Sequence, residues 1–238
     1  MTDATGSVAI DCFPESAGRY RDGHAVVVVD VIRATTTAVT GVALGRRCFP
    51  ERTITDAVTR ASRLEQPLLV GELGGQMPYG FDLTNSPAAL ARRADVHRPM
   101  VLLSSSGTEL MKNAEGCEAV YIACFRNYRA TVLHAAGRHS QIAVLGAGTR
   151  GEFREEDQMC CAWIAEGLLK LGYVAADRRT EELVERWSGA PPDACLVSRS
   201  VIYLQQSGQL EDLDFILARV DDVTASFRLA DGEVTLAE

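Results

Sequence analysis

An apolar, β-branched run near residue 26 is the feature that most constrains the fold. Residues 26–29 are four consecutive valines, and Asp30, Arg33 and the threonines 35–37 follow directly. Such a run predicts a buried strand, and the threonines are placed to open a helix. Open α/β sheets bind ligands at the carboxyl ends of their strands, and helix N-termini attract anions. The segment therefore predicts a metal-assisted site for an anionic substrate.

The predicted order of strands and helices occurs twice along the chain. A strand–helix–strand–helix–strand pattern runs over about 25–75 and again over about 98–150, with a glycine-rich loop between them. If the repeat is real, Asp30 and Ser104 end equivalent strands that face one cleft; the alternative is that any α/β chain repeats at some spacing. Four pairs of strand positions or candidate helix caps are 74 residues apart: Val29 and Leu103, Cys48 and Ile122, Leu69 and Ala143, Thr53 and Asn127.

These patterns predict an α/β fold that forms one domain over residues 1–238. We expect a three-layer α/β/α architecture with two βαβαβ-like repeats and a mostly helical C-terminal part from about 151 to 238. A hairpin at the edge of the sheet is expected near 219–229. The helices of the C-terminal part are predicted near 154–171, 178–188, 194–206 and 210–218.

Charge and hydropathy patterning limit the partners. The formal net charge of −8 and the lack of a basic patch argue against nucleic acid. No apolar run reaches the length of a membrane span, and the first residues lack the pattern of a signal peptide, so we expect a cytoplasmic protein. The seven cysteines form no metal-binding or redox spacing, which favours reduced, buried thiols. Homo-oligomerisation is left open.

Two loops between predicted elements carry further candidate residues. The long connection 71–87 contains four glycines and Glu72, and connections of this length inside a domain are usually functional. Ser86 and Pro87 at its end predict a helix cap and a first helical residue. The turn 104–108, Ser-Ser-Ser-Gly-Thr, lies between a strand and a helix and predicts a cradle for a phosphoryl group or another oxyanion.

The glycine motif at 146–151 matches the dinucleotide-binding pattern GxGxxG after a strand and before a helix. The acidic residues that follow it would repel a pyrophosphate, and no second strand ending in an acid appears about 20 residues on. We therefore disfavour a nucleotide role for the motif.

The acids at the start of the helix near 154–171 are better explained by a cation. Asp157 extends the apolar stripe of this helix, and Glu156 lies beside it. A carboxylate on a buried stripe needs a partner, which a divalent cation can supply. A cap or a salt bridge to Arg33 or Arg150 is the competing explanation.

Taken together, these segments resemble the 2-phosphosulfolactate phosphatase (ComB-like) family. The resemblance implies an α/β fold with the family's own topology. It also implies a magnesium-dependent phosphatase that removes phosphate from 2-phospho-3-sulfolactate in coenzyme M biosynthesis. The matching blocks are VDVIRATTT (29–37), the GE…GFDLTNSP region (71–87), SSSGT (104–108), the helix start at Asn127, and GAGTRGEFREED (146–157).

Site residues follow from the resemblance position by position. One position departs from the family, whose usual Thr-Asn-Gly-Thr is Ser-Ser-Gly-Thr at 105–108, so Ser106 offers a shorter side chain to the substrate. The marked residues are Asp30, Arg33, Thr35, Thr36, Glu72, Asn85, Ser86, Gly107, Thr108, Asn127, Glu156 and Asp157.

Charge then suggests a role for each group. Asp30 and Asp157, with Glu72 or Glu156, are expected to hold Mg²⁺, and Arg33 to contact an oxygen of the substrate bidentately. Asp30, Arg33 and Asp157 are the expected catalytic residues. The expected substrate-binding residues are Thr35, Thr36, Asn85, Ser86, Ser106, Gly107, Thr108 and Asn127.

The nucleophile and the substrate each leave alternatives. Water or Asp30 itself could attack the phosphorus, and water is favoured because Ile32 lies where a haloacid-dehalogenase-type site has a second aspartate. The substrate could be a different phosphorylated hydroxy acid. A further hypothesis is a non-catalytic protein that binds an anion or a nucleotide through 146–151.

Overall fold

One sheet of ten strands organises the protein. The computed structural model describes residues 5–238, and its strands run in the order β4-β5-β3-β10-β9-β6-β2-β7-β1-β8. The strands are β1 Gly6–Cys12, β2 Ala25–Val29, β3 Cys48–Glu51, β4 Leu68–Gly71, β5 Met100–Leu103, β6 Ala119–Ala123, β7 Gln141–Gly146, β8 Tyr173–Ala175, β9 Phe227–Ala230 and β10 Glu233–Leu236.

Helices cover both faces of this sheet, which confirms the predicted three-layer α/β/α class. The structure also has two short 3₁₀ helices, Pro14–Tyr20 and Pro192–Val197. The α-helices are α1 Ala34–Ala43, α2 Ile54–Ala61, α3 Pro87–Ala91, α4 Gly107–Asn113, α5 Tyr128–Ala135, α6 Glu155–Lys170, α7 Arg178–Trp187, α8 Arg199–Gln206 and α9 Leu210–Ala218.

The valine run forms β2 and is buried on both faces, as its composition predicts. Val27 and Val29 belong to a core with residues of α5 and α6. Val26 and Val28 point the other way and belong to a core with residues of α1, α3 and α4. None of the four valines has exposed surface. A central strand of a parallel sheet has no solvated face, so a continuous apolar run is the expected sequence.

Two parallel half-sheets, β4-β5-β3 and β6-β2-β7, are related by an internal pseudo-twofold arrangement. Each is centred on the first strand of the other repeat, because β2 lies between β6 and β7, and β5 between β3 and β4. The uniform spacing of 74 predicted from the sequence holds for β2 and β5 and is off by two and one residues for the other pairs. Registered strand ends correspond at offsets of 74, 72 and 75 residues, in the pairs Val29 and Leu103, Glu51 and Ala123, Gly71 and Gly146.

An antiparallel hairpin, β9-β10, joins the two half-sheets. β9 pairs with β6 and β10 pairs with β3, so the hairpin lies at the centre of the sheet. The predicted edge hairpin near 219–229 is therefore wrong in position and in bounds. The alternation of buried Phe227 and Leu229 with exposed Arg228 is typical of a half-covered strand wherever it lies in a sheet, so this pattern does not distinguish an edge from the centre.

Helix caps agree with the sequence at two of three positions. The Thr53 hydroxyl accepts from Asp56 N–H, and the Ser86 hydroxyl accepts from Ala89 N–H, with Pro87 as the first residue of α3. Asn127 precedes α5 but does not cap it with its side chain, so that predicted cap is wrong. Its carboxamide oxygen accepts from Cys124 N–H, in the turn after β6, at 3.0 Å instead.

Within residues 5–238, no helix combines the length and the apolar character that crossing a membrane requires.

Candidate active site

Asp30 lies where two helices begin. It follows β2, and the first residues of α1 and α4, Ala34 and Gly107, lie against it. A Cβ atom on Gly107 would lie 2.2 Å from Asp30 Oδ2 and 2.4 Å from Ala34 Cβ. Because α1 and α4 are corresponding helices of the two repeats, Asp30 lies where equivalent parts of the two repeats meet. The structure thus brings Asp30 and the turn 104–108 together.

Four carboxylates surround this point. Burial raises the pKa of Asp30 to about 7, the Ala34 N–H opposes the rise, and the carboxylates of Glu72 and Glu156 add to it. Burial also raises the pKa of Asp157 well above its ordinary value, and Glu156 and Asp30 raise it further. The pKa of Glu156 is raised mainly by burial. Buried carboxylates close enough to shift one another need either protons or a cation.

All four of these carboxylates accept hydrogen bonds from other groups. Asp157 accepts from Val31 N–H at 2.8 Å and from Gly148 N–H at 3.2 Å. Glu72 accepts from Ser105 N–H at 2.8 Å and from Gly75 N–H at 2.7 Å.

The remaining two carboxylates differ in their partners. Glu156 accepts from the hydroxyl of Ser198. For the Asp30 carboxylate, the favourable hydrogen bond that lowers its pKa is that of the Ala34 N–H. Asp30 is therefore the carboxylate of this group with most capacity left for a ligand.

The carboxylates are suitable ligands for a hard divalent cation, but too few of them lie close together to enclose one. Buried, mutually repelling carboxylate oxygens are the ligands such a cation prefers. In the described part of the chain, however, no three His, Cys, Asp or Glu side chains form a ready-made metal cluster. Mg²⁺ usually takes one or two protein carboxylates and completes its shell with water and substrate phosphate oxygens. The residues present fit that mode and do not form an all-protein cage.

Arg33 is part of a buried network. Its Nη1 donates to Asp212 Oδ2 at 2.6 Å and to Gln209 Oε1 at 2.5 Å, and both charged side chains of the Arg33–Asp212 pair are 4% exposed. Asp212 also accepts from Ser86 Oγ at 2.6 Å and from Ala88 N–H at 3.0 Å. The network ties the turn after β2 to α3 and α9. The bidentate contact of Arg33 with substrate stays a prediction, as does substrate binding by Ser86.

The threonine hydroxyls mostly bind main-chain atoms. Thr35 Oγ1 donates to Asp30 O at 2.7 Å and accepts from Asp30 N–H at 2.9 Å. Thr108 Oγ1 makes the same pair of bonds with Ser104, both at 2.9 Å. Thr36 Oγ1 donates to Val31 O at 2.7 Å. These side chains shape the two turns, and their direct contact with substrate stays a prediction.

Two other predicted residues offer groups without these commitments. The Asn85 side chain is buried, and its Oδ1 is among the few buried polar atoms in residues 5–238 that lack a hydrogen-bond partner. Ser106 precedes α4, is half-buried and makes no capping bond. Asn127 is fully engaged, since its Nδ2 donates to Ile122 O at 3.0 Å while its Oδ1 accepts from Cys124.

The glycine motif at 146–151 is used within the protein. Gly148 gives its N–H to Asp157, and a Cβ atom there would lie 2.8 Å from both Phe13 Cε1 and Glu152 O. In the dinucleotide fingerprint this segment would approach a pyrophosphate with its N–H groups. Here a carboxylate occupies one of them, which disfavours the nucleotide-binding alternative.

Three residues of the site region were not singled out from the sequence. Asp212 and Ser198 bind predicted site residues from more than 40 positions away, and no spacing signal marks either of them. Arg154 directly precedes α6, is 7% exposed, pairs with Glu152 and has a buried Nε without a partner. It lies inside the matching block 146–157, which is the signal that could have drawn attention to it.

Comparison with known proteins gives a consistent result. A family model described as 2-phosphosulpholactate phosphatase matches residues 12–224. A probable 2-phosphosulfolactate phosphatase of Deinococcus radiodurans is 34% identical over 87% of this chain and 86% of its own length. One of Symbiobacterium thermophilum is 31% identical over 91% and 95%. One of Pseudothermotoga lettingae is 37% identical over 59% of this chain, which spans 61% of that protein.

The matched range extends from the end of β1 to the segment just before β9 and contains every candidate site residue described above. The resemblance noted in the sequence is thereby confirmed, and this chain belongs to the 2-phosphosulpholactate phosphatase family.

Proposed function

We propose that this protein is a phosphatase that hydrolyses 2-phospho-3-sulfolactate to 3-sulfolactate and phosphate, with Mg²⁺ as its cofactor. The observation that carries the proposal is the position of Asp30, buried at the start of α1 and α4 among three further carboxylates, in a chain of this family. The relatives' names supply the substrate, and the carboxylates supply the argument for a cation.

Magnesium would be held by Asp30, with Glu72, Glu156 and Asp157 as the neighbouring carboxylates, and would supply positive charge against the phosphoryl oxygens. Such charge is needed because the substrate carries a phosphate, a carboxylate and a sulfonate, while Arg33 is paired with Asp212. Ser106 Oγ and the Asn85 carboxamide are the side-chain groups available to orient the substrate.

The reaction joins a water oxygen to phosphorus and breaks the ester P–O bond, and the departing alkoxide takes a proton to become the hydroxyl of sulfolactate. Asp30 lies beside the starts of α1 and α4, and the Ala34 N–H is the hydrogen bond that lowers the pKa of its carboxylate, so this carboxylate has room to orient the attacking water and to accept its proton. Direct attack by Asp30 through an aspartyl-phosphate is the second route, and Ile32 at the position of the usual second aspartate makes it less favoured.

A second candidate substrate is a phosphorylated hydroxy acid without a sulfonate. Ser106 supports it, because the family usually has asparagine there and the hydroxyl is shorter, with a single donor. The cytoplasmic location, homo-oligomerisation and the place of the reaction in coenzyme M biosynthesis stay predictions from the sequence.

The test is phosphate release from 2-phospho-3-sulfolactate and from a panel of phosphorylated hydroxy acids, with Mg²⁺ and with EDTA. We expect turnover with Mg²⁺ and its loss with EDTA. Asp30→Asn should lower kcat by about 10³-fold while the protein stays folded, because the charge and the proton acceptor are both removed. Asp214→Asn, an exposed aspartate on α9, is the matched control and should keep wild-type turnover.

Near-normal turnover of Asp30→Asn would remove Asp30 from the mechanism. Higher kcat/KM on a sulfonate-free substrate would support the second candidate. No phosphate release from any member of the panel would refute the phosphatase assignment.

A further inference from the structure

Two carboxylates hold corresponding turns of the two repeats. Asp157 Oδ1 accepts from Val31 N–H at 2.8 Å, and Glu72 Oε1 accepts from Ser105 N–H at 2.8 Å. Val31 and Ser105 are 74 residues apart, and each is the second residue after the end of its strand, β2 or β5. The two N–H groups are therefore equivalent under the pseudo-twofold arrangement.

The second oxygen of each carboxylate binds the loop that follows the neighbouring strand. Asp157 Oδ2 accepts from Gly148 N–H at 3.2 Å, and Glu72 Oε2 accepts from Gly75 N–H at 2.7 Å. Gly148 follows β7 and Gly75 follows β4, the neighbours of β2 and β5 in the two half-sheets. Both glycines have positive φ, 60° and 88°. Each carboxylate thus joins the loops that follow two adjacent parallel strands.

The two carboxylates do not correspond in sequence, which makes their shared geometry informative. Asp157 comes from α6, whereas Glu72 belongs to the loop after β4. In each repeat a carboxylate therefore binds the N–H group of the turn, but the two carboxylates come from different elements. What both preserve is the position of the turns that carry Asp30 on one side and Ser106 with Gly107 on the other.

We infer that Asp157 and Glu72, the two clamp carboxylates, are positioning residues that act through the main chain of these turns and are not the ligands that fix the affinity for Mg²⁺. The inference rests on the proposed function and deepens it, because it leaves Asp30 as the carboxylate that meets the cation. A carboxylate with an N–H donor on each oxygen is oriented toward the main chain. Its two oxygens then keep two loop ends at a fixed separation.

The experiment compares Asp157→Asn and Glu72→Gln, which keep the side-chain shape but set an NH₂ group against an N–H donor. Amide hydrogen exchange is measured at both turns in the metal-free protein, and kcat, KM and the Mg²⁺ activation constant in the loaded enzyme. Loss of a hydrogen bond to a carboxylate oxygen predicts exchange about ten- to hundredfold faster at the two amides concerned. We expect kcat to fall about tenfold, with the Mg²⁺ activation constant within about twofold of wild type.

The pattern across variants makes the inference specific. Asp157→Asn should speed exchange at Val31 and Gly148, and Glu72→Gln at Ser105 and Gly75, each leaving the other pair protected. Glu156→Gln is the matched control, because this buried neighbour binds Ser198 and neither turn, so exchange at all four amides should stay as in wild type.

A rise of tenfold or more in the Mg²⁺ activation constant, with unchanged exchange at the two amides, would identify the mutated carboxylate as a metal ligand and overturn the inference. If Asp157→Asn fails to fold, Glu72→Gln tests the same inference from a half-buried loop. Absence of phosphatase activity in the wild type would refute the proposed function alone, since the exchange pattern is measured without substrate or metal.

Discussion

At the scale of single residues, the site depends on a glycine at position 107. Only glycine lets α4 begin against Asp30, because a Cβ atom at this position would lie 2.2 Å from a carboxylate oxygen of Asp30. The φ of Gly107 is not in the left-handed region, so the requirement is one of space and not of backbone conformation. This glycine therefore sets how closely the two helix starts approach the carboxylate.

Gly107→Ala tests this requirement. The methyl group must displace Asp30 or the start of α4, and a displacement of about 1 Å costs on the order of 10²-fold in rate. We expect kcat to fall by about that factor while the protein stays folded. Gly18→Ala is the control, since a Cβ atom at Gly18 meets nothing within 4 Å. Equal kinetics of Gly107→Ala and wild type would show that the contact does not matter for turnover.

The sequence correctly predicts that Asp30 follows a buried strand, but it does not reveal which groups its neighbours bind. The valine run and the acid after it are local signals, and local signals define strand ends well. The partner of Arg33, in contrast, is Asp212, 179 positions away, and the donors to Asp157 are main-chain N–H groups of two separate loops. Contacts of this kind arise from tertiary packing, so the local sequence does not show that Arg33 binds Asp212. The contact of Arg33 with substrate stays a prediction.

At the scale of elements, ion pairs of Asp95 hold the segment that leads into β5. Arg93 donates to its carboxylate at 2.9 and 2.5 Å, and the buried Arg46, which follows α1, donates at 2.9 Å. The Arg93 guanidinium, followed by Arg46, holds the pKa of Asp95 well below its ordinary value, against the opposing effect of burial. The ion cluster thus joins the end of α1, the end of α3 and the start of β5.

This cluster predicts a pH-dependent part of the stability. Because the folded pKa of Asp95 is depressed, its contribution is present above the unfolded value of about 4 and is lost as the pH falls toward the folded pKa. Asp95→Asn should therefore lower the free energy of unfolding by about 1 kcal/mol at pH 7, a modest figure because the carboxylate is partly exposed. The difference from wild type should shrink steadily below about pH 4.

Urea denaturation of both proteins between pH 7 and pH 3 measures the effect, with the exposed Asp214→Asn as the reference variant. A difference that stays constant over this range would show that the contact does not depend on the charge of Asp95.

Elements were predictable where their residues are locally consistent. The alternation of strands and helices over 25–150 is clear from periodicity, and the fold class that it implies is confirmed. No element was predicted before residue 25, yet β1 lies there. Its apolar run is short and ends at Asp11, an acid that is buried only because Arg19, Tyr20 and Arg179 donate to it. Because these partners lie outside the strand, the sequence of β1 alone does not show that its acid is compensated, and the strand is missed.

At the scale of the whole molecule, the β9-β10 hairpin connects two half-sheets that otherwise share no strand pairing in the order of the described sheet. Val234 of β10 is 1% exposed and pairs with Cys48 of β3. The hairpin is therefore part of the central core, although its sequence looks like that of a peripheral strand.

Val234→Asp should disrupt this connection. An unpaired carboxylate at a fully buried position is expected to cost about 4 kcal/mol or more, so the variant should unfold at much lower urea or fail to accumulate as soluble protein. Thr235→Asp, one residue on and only half-buried, is the control and should stay soluble. An unchanged urea midpoint for Val234→Asp would mean that the two half-sheets are held together without the hairpin.

The exchange of first strands between the repeats has a consequence for how such a gene could be divided. Since β2 completes the half-sheet of the second repeat and β5 that of the first, neither segment encodes a self-sufficient folding module. A recombination crossover placed between them would transfer two outer strands without the one that pairs with both. The two repeats therefore have to be inherited together. A chimera that folds must keep all three strands of each half-sheet from one parent, although those strands are not contiguous in the chain.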